Sequence, residues 1–167
     1  CAIFRYIYDK WHYWYFLKRR EMTSLEFPAV SHILGGEEIL QCNLDDYFDF
    51  IELSDRGLPT QALVHLAEHL QLSLSQIARL LPVSERTLQR HKGSKPFNRL
   101  VSEQILHIAE VTARGTEVFG EREKFLCWLK QPSTALAGKT PLELLGSHFG
   151  AEMVLDELGR MEHGVFS

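Results

Sequence analysis

The stretch LSLSQIARLLPVSERTLQRHKG at 72 to 93 carries two helix starts in quick succession, which constrains the fold more than any other feature of the chain. Ser73 followed by Gln76 is a capping box, each side chain satisfying a backbone N–H that the first turn leaves open, with Leu72 and Ile77 as the apolar staple across it. The spacing predicts a helix from Ser73 to Leu81, stopped by Pro82. Ser84 then caps a second helix, with Val83 and Leu88 as its staple, Glu85 in the first turn where the helix dipole favours an acid, and Gly93 at its close. Two helices joined by so short a turn must cross steeply, so a small residue belongs at the crossing and apolar anchors around it. Ala78 supplies the first and Ile77, Leu81, Val83 and Leu88 the second, which is the pattern of a helix-turn-helix. Pro82 occupies the turn where glycine is common.

The rest of the chain continues in the same helical period. Pro59 suits a helix start, and Leu63, Leu66, Ala67 and Leu70 share one face of a helix at 59 to 70. Leu100, Val101, Gln104, Ile105, Ile108, Ala109, Val111 and Thr112 keep one face through a long helix of 98 to 119. Further helices are expected at 121 to 130, from Pro141 behind the cap Thr140, and from Ala151 to Met161. No alternating strand pattern follows residue 57, so the fold class is all-α, with about eight helices: a helix-turn-helix domain followed by a small helical domain.

The N-terminal region divides in two. Residues 22 to 56, with a turn at Gly35 and Gly36 and an acidic, aromatic run DDYFDFIELSD, read as helix or loop. Residues 1 to 21 hold 8 of the 18 aromatic residues and begin with Cys, the next possible start being Met22; they read as an upstream extension, with a partner-binding arm as the alternative. Their apolar tract is broken by Arg5, Asp9 and Lys10, short of the roughly 20 apolar residues of a spanning helix, so no membrane anchor is expected. Cys1, Cys42 and Cys127 lack metal-ligand or CxxC spacing and read as reduced thiols of a cytoplasmic protein, Cys127 as a small buried apolar residue.

Charge locates a nucleic-acid face. The net charge of −4 argues against DNA binding, yet residues 73 to 100 carry six basic residues against one acid, while both flanks are acidic. With Leu88 buried, periodicity turns Glu85, Arg86, Gln89 and Arg90 outward beside Ser84. Arginine pairs with guanine, glutamine with adenine, and a serine hydroxyl with phosphate. Lys92, Lys95 and Arg99 follow and would meet backbone phosphates. A plain bundle with a solvated basic face is the competing reading; spacing, capping and local charge together favour operator DNA. One such reader binds weakly, so a homodimer on a two-fold operator is expected.

A resemblance extends this reading to the C-terminus. GLPTQAL at 57 to 63, LPVSERTLQR at 81 to 90 and VSEQ at 101 to 104 resemble the Xre-type antitoxins of RES–Xre toxin–antitoxin systems. EVFGEREKFLCWLKQPSTALAGKTPLELL at 117 to 145, Gly150 and LGRMEHGVFS at 158 to 167 resemble the MbcA/ParS/Xre toxin-binding domain. Ala137 stands where that motif usually has glycine, and Ser133 where asparagine is frequent. The resemblance implies a helix-turn-helix domain at 57 to 116 that represses its own operon and a domain at 117 to 167 that inhibits a RES-type, NAD-degrading toxin. It also implies that the tail, Arg160, Glu162, His163, Gly164, Val165, Phe166 and Ser167, contacts the toxin, since Gly164 ends the last helix and three residues follow uncovered; a frayed terminus is the plain alternative. Trp128, Leu129, Leu142 and Leu145 lie at helical spacing and read first as core.

No catalytic or cofactor constellation is legible. His65, Glu68 and His69 share a helix but lack the HEXXH order of a zinc site and read as a solvated face. The main rival is a one-component helix-turn-helix regulator whose C-terminal domain binds a small ligand or dimerises.

Overall fold

A computed structural model describes residues 26–91 and 95–164. Ten α-helices lie among them: α1 Glu26–Ile33, α2 Glu37–Leu40, α3 Tyr47–Arg56, α4 Thr60–His69, α5 Leu74–Ala78, α6 Glu85–Arg90, α7 Arg99–Phe119, α8 Arg122–Leu129, α9 Pro141–Leu144 and α10 His148–Glu162, with a 3-10 turn at Thr134–Leu136. The described residues contain no strand, as the helical period predicts.

α7 organises the molecule. Asn98 caps it by accepting from the Val101 N–H at 3.0 Å, and its 21 residues pack against α1, α3, α8 and α10. Val101, Ile105, Ile108, Ala109, Val111 and Thr112 are buried along it as their spacing predicts. Leu100 is not: it is 63 % exposed. The stripe it belongs to is covered only from Gln104 onward, where the side-chain amide donates to the Leu145 carbonyl at 2.6 Å, and Leu100 lies one turn ahead of that cover. The 116/117 boundary expected from the sequence falls inside this one helix.

Residues expected as helix or loop before Gly57 form α1, α2 and α3. Asp46 caps α3, accepting from Phe48 N at 2.7 Å and Asp49 N at 3.1 Å, while the Asp49 carboxylate answers to the Asp46 N–H at 3.0 Å. Asp45 N donates to the same carboxylate at 2.7 Å, and the two backbone bonds hold the Asp49 carboxyl below its usual range. Phe27 on α1 packs edge-on to Tyr47 and Phe50 of α3.

Gly57 turns the chain from α3 into α4 with φ 87°, and a methyl group there would lie 2.2 Å from the Phe97 carbonyl oxygen. That close approach lets Phe97 N donate to Leu58 O at 2.8 Å and the buried Ser102 hydroxyl accept from Leu58 N at 3.0 Å, fastening the start of α4 to α7. Pro59 takes the cap position rather than the first helical one, so α4 begins at Thr60.

Three further local expectations shift. α5 ends at Ala78, not Leu81, and the chain winds on by i+3 bonds, Leu80 N to Ile77 O and Leu81 N to Ala78 O, because Pro82 disfavours α geometry just ahead of it. α10 begins at His148 instead of Ala151, since Ser147 caps it through the Gly150 N–H at 3.1 Å, a start that apolar periodicity alone does not register. Cys127 is exposed, contrary to its reading as a buried residue: Phe125, Leu126 and Leu129 define the inner face of α8 and turn Cys127 outward.

Candidate functional site

The helix-turn-helix consists of α5 and α6. At α5 the Ser73 hydroxyl accepts from Gln76 N at 3.3 Å and the Gln76 side chain accepts from Ser73 N at 2.9 Å, the capping box read from sequence. Ile77, Ala78, Leu81 and Leu88 are buried and Val83 packs against them, so the two helices meet through the residues assigned to that role. The Ser84 hydroxyl accepts from Thr87 N at 3.1 Å and is 2.8 Å from the Thr87 hydroxyl. Its role here is to start α6.

With Leu88 turned inward, Glu85, Arg86, Gln89 and Arg90 are all exposed on one side of α6. Glu85 accepts from the Gln89 amide at 3.0 Å, one turn along the helix. Among the described residues no carboxylate engages Arg86 or Arg90, so both guanidiniums present their full donor sets to solvent. Lys95 is exposed on the following segment. Lys92 lies outside the described residues, as does Gly93.

Arg99 is exposed but paired within the chain. Its guanidinium is 2.9 Å from Asp55 and 2.7 Å from Glu103, and the Glu103 hydrogen bond and Asp55 charge hold it still more firmly protonated. It is a charge largely neutralised within the chain, at the edge of the basic face. Counting charge along a sequence cannot register such pairing, because Asp55 meets Arg99 only through the packing of α3 on α7.

One residue that the sequence reading passed over positions the face. His91 closes α6; its Nδ1 is 2.9 Å from the Thr60 hydroxyl and its ring stacks on Phe97 at 4.3 Å. This seats the end of α6 on the start of α4 and on the segment leading into α7. No spacing rule marks it, since both partners come from other elements.

The C-terminal half rests on the same helix. Phe119, Phe125 and Trp128 form a ring cluster between α7 and α8, so Trp128 is a half-buried frame residue, as its helical spacing suggested. Arg122 reaches back to α4, donating to the carbonyls of His69 at 2.8 Å and Glu68 at 3.3 Å, where the helix end carries partial negative charge. His69 departs from the solvated face expected of it: its Nε2 is buried without a hydrogen-bond partner, and burial, then the Arg122 charge, hold the imidazole below its usual pKa. Among the described residues no group of three His, Cys, Asp or Glu side chains could hold a metal ion, and no helix is long and apolar enough to cross a membrane.

The chain's end is tied down up to Gly164. Arg160 donates to Glu157 at 2.8 Å through Nε, and Glu162 pairs with Arg114 of α7. Arg114 also meets Glu117 at 2.8 Å and Glu26 at 3.4 Å, so one half-buried cation gathers three carboxylates from α1, α7 and α10. Burial, only partly offset by Arg114, raises Glu26 to about 7. His163 lies 3.9 Å from Glu162, and Gly164 takes the left-handed conformation at φ 70° that ends the helix. Arg160 and Glu162 thus have partners within the chain while their side chains remain 40 % and 38 % exposed; Val165, Phe166 and Ser167 lie outside the described residues.

Ala137, noted as replacing a glycine, sits at φ 57° in the loop that joins Ser133 N to Lys139 O at 3.0 Å. The loop closes with alanine in the left-handed region, and the Thr140 capping box then starts α9.

Comparison with known proteins agrees with this division. A family model described as the antitoxin Xre-like helix-turn-helix domain matches residues 49–110, and one described as the antitoxin Xre/MbcA/ParS C-terminal toxin-binding domain matches 114–164. An antitoxin Xre of Yersinia enterocolitica is 34 % identical over 105 residues, covering 59 % of this chain and 70 % of that protein. An antitoxin Xre of Photorhabdus laumondii is 27 % identical over 115 residues, 68 % of this chain and 78 % of that protein. One of Pseudomonas putida is 29 % identical over 109 residues, 65 % and 67 % respectively. A capped two-helix reader with an outward basic face, followed on one shared helix by a domain of matching order, places the chain in the family of Xre antitoxins.

Proposed function

We propose that this antitoxin binds and inhibits a RES-type, NAD-degrading toxin encoded beside it, and that as a homodimer it represses the operon that makes both. The observation that carries the reading is the pair Arg86 and Arg90: exposed, unengaged by any described carboxylate and held on a helix fixed at both ends, beside a domain matched as toxin-binding. A guanidinium kept free in an acidic chain suits bidentate contact with guanine, and Gln89 suits adenine. Glu85 holds that amide until DNA takes its place. Lys92 and Lys95 would add phosphate contacts that weaken with salt.

The residues beyond Gly164 act as the inhibiting element by entering the toxin's cleft, and Arg114 sets where they leave the surface by gripping Glu162. The chain itself takes no part in chemistry, binds no cofactor and works in the cytoplasm. The test is co-expression with the product of the adjacent gene, followed by purification, an NAD-consumption assay and a gel shift on the operon's promoter. Removing residues 161–167 should abolish neutralisation and leave the promoter shift intact; a truncated chain that still rescues toxin-expressing cells would refute the cleft-entering tail. A one-component regulator would bind its promoter with no toxin gene beside it.

A further inference from the structure

α10 begins with an exposed apolar face that the frame of the domain does not use. Phe149 is 81 % exposed and Met153, one turn on, is 45 % exposed. Beside them the His148 ring lies 5.8 Å from Phe149 and 5.0 Å from His107 of α7. Leu100, 63 % exposed, is on the same side of α7 as Gln104 and His107, which lie one and two turns further along. Single exposed apolar residues are ordinary, but here three lie, by contact or helical spacing, on the sides of α7 and α10 where the His107 and His148 rings meet at a tilt of 57°.

The charge around this face selects its occupant. Glu110 is 3.5 Å from His107, and Glu103 and Glu152 are close enough to raise the His107 pKa, with the Glu110 hydrogen bond the largest cause. Asp156 continues the stripe of Phe149, Glu152 and Met153 at helical spacing. Against these carboxylates stands Arg99, which already serves Asp55 and Glu103. A second copy laid face to face would set carboxylates against carboxylates, and DNA would bring more negative charge; both are disfavoured.

We infer that the Leu100, Phe149 and Met153 face is the docking site for the toxin, which meets it with an apolar socket ringed by lysine and arginine. This rests on the antitoxin reading and divides that function between two places. α10 runs for 15 residues, about 22 Å at 1.5 Å per residue, from this face to the tail that follows Gly164. Only a macromolecule spans both. The face holds the toxin and the tail blocks it, so affinity and inhibition are separable.

The experiment uses the full chain and the purified product of the adjacent toxin gene, with affinity read by biolayer interferometry and the mass of the free antitoxin by light scattering. Phe149→Ser should weaken toxin binding about 30-fold, the loss typical of a hot-spot residue. Glu152→Lys should slow association at low salt, with the difference shrinking at high salt. Both variants should keep the wild-type promoter shift, and Phe149→Ser the thermal midpoint as well, since the Phe149 ring is 81 % exposed. The chain lacking 161–167 should still bind toxin while failing to inhibit it. Wild-type protein that does not bind the toxin would overturn the antitoxin reading itself. Wild-type binding with variants that bind equally well would overturn this face alone. A change in the free antitoxin's mass in Phe149→Ser would assign the face to self-association instead and overturn the proposal.

Discussion

Gly115 is the position where two well-known effects of one methyl group oppose each other, and the structure decides between them. It lies buried within α7, one turn before its end at Phe119, where alanine is preferred over glycine by about 1 kcal/mol. Helix propensity alone makes Gly115→Ala stabilising. A methyl group at that position, however, would lie 2.1 Å from Cε2 and 2.3 Å from Cδ2 of Phe125. Carbon atoms rest at about 3.5 to 4 Å, so the ring would have to withdraw by more than about 1 Å. Phe125 is fully buried, with Phe119 and Trp128 at centroid distances of 6.3 and 6.2 Å on its flanks, so no retreat is open to it. Overpacking of this kind costs about 1 to 3 kcal/mol. The net expectation is a loss of up to about 2 kcal/mol and a fall of the thermal midpoint by up to about 8 °C. Calorimetry on Gly115→Ala, Phe125→Leu and the double variant checks it, because the smaller side chain should make room for the methyl group and show coupling of about 1 kcal/mol or more. A raised midpoint in Gly115→Ala, or strict additivity in the double variant, would refute the reasoning. Because Phe125 seats α8 on α7, the single variant should lose toxin binding before promoter binding.

Other outcomes follow from single residues. Arg90→Ala should weaken promoter binding by about 1 to 3 kcal/mol if it reads a base, and an unchanged gel shift rejects that role. Arg99→Ala should cost the promoter complex much less, its charge being spent on Asp55 and Glu103, and an equal loss in both variants would show that the pairing opens on DNA. Ala137→Gly should stabilise the chain by up to about 1 kcal/mol, since relief of the left-handed strain exceeds the entropy glycine adds to the unfolded state; a lowered unfolding midpoint in urea contradicts it. Glu26 gives a pH signature. Its folded pKa of about 7 stands above the ordinary 4.5, so the folded chain binds the extra proton between those values and stability is lost as pH rises through that window. Discounted for solvent screening, the loss is about 1 to 2 kcal/mol; Glu26→Gln should remove it, and parallel urea curves for both proteins from pH 5 to 8 would disprove it.

Local signals in the sequence were strong wherever a neighbour within four residues decided the outcome. Ser73 with Gln76, Ser84 and Thr140 each start a helix through bonds to residues three positions on. The all-α class, the helix-turn-helix and the outward set Glu85, Arg86, Gln89 and Arg90 followed from such short-range rules and the 3.6-residue period. So did the inner residues of α4 and most of α7.

What those rules could not supply are the meetings of residues far apart in the chain. Arg99 met Asp55, Arg114 claimed both Glu162 and Glu26, and His91 found Thr60 and Phe97, all through the packing of α1, α3, α4 and α10 around α7. Leu100 likewise turned to solvent because cover depends on where a neighbouring helix stops. Hydrogen bonds within a turn are set by the backbone that carries them, so amino-acid order determines them directly. Which charge is neutralised, and which apolar face remains open for a partner, depends on how helices dock, and that was decided only in three dimensions.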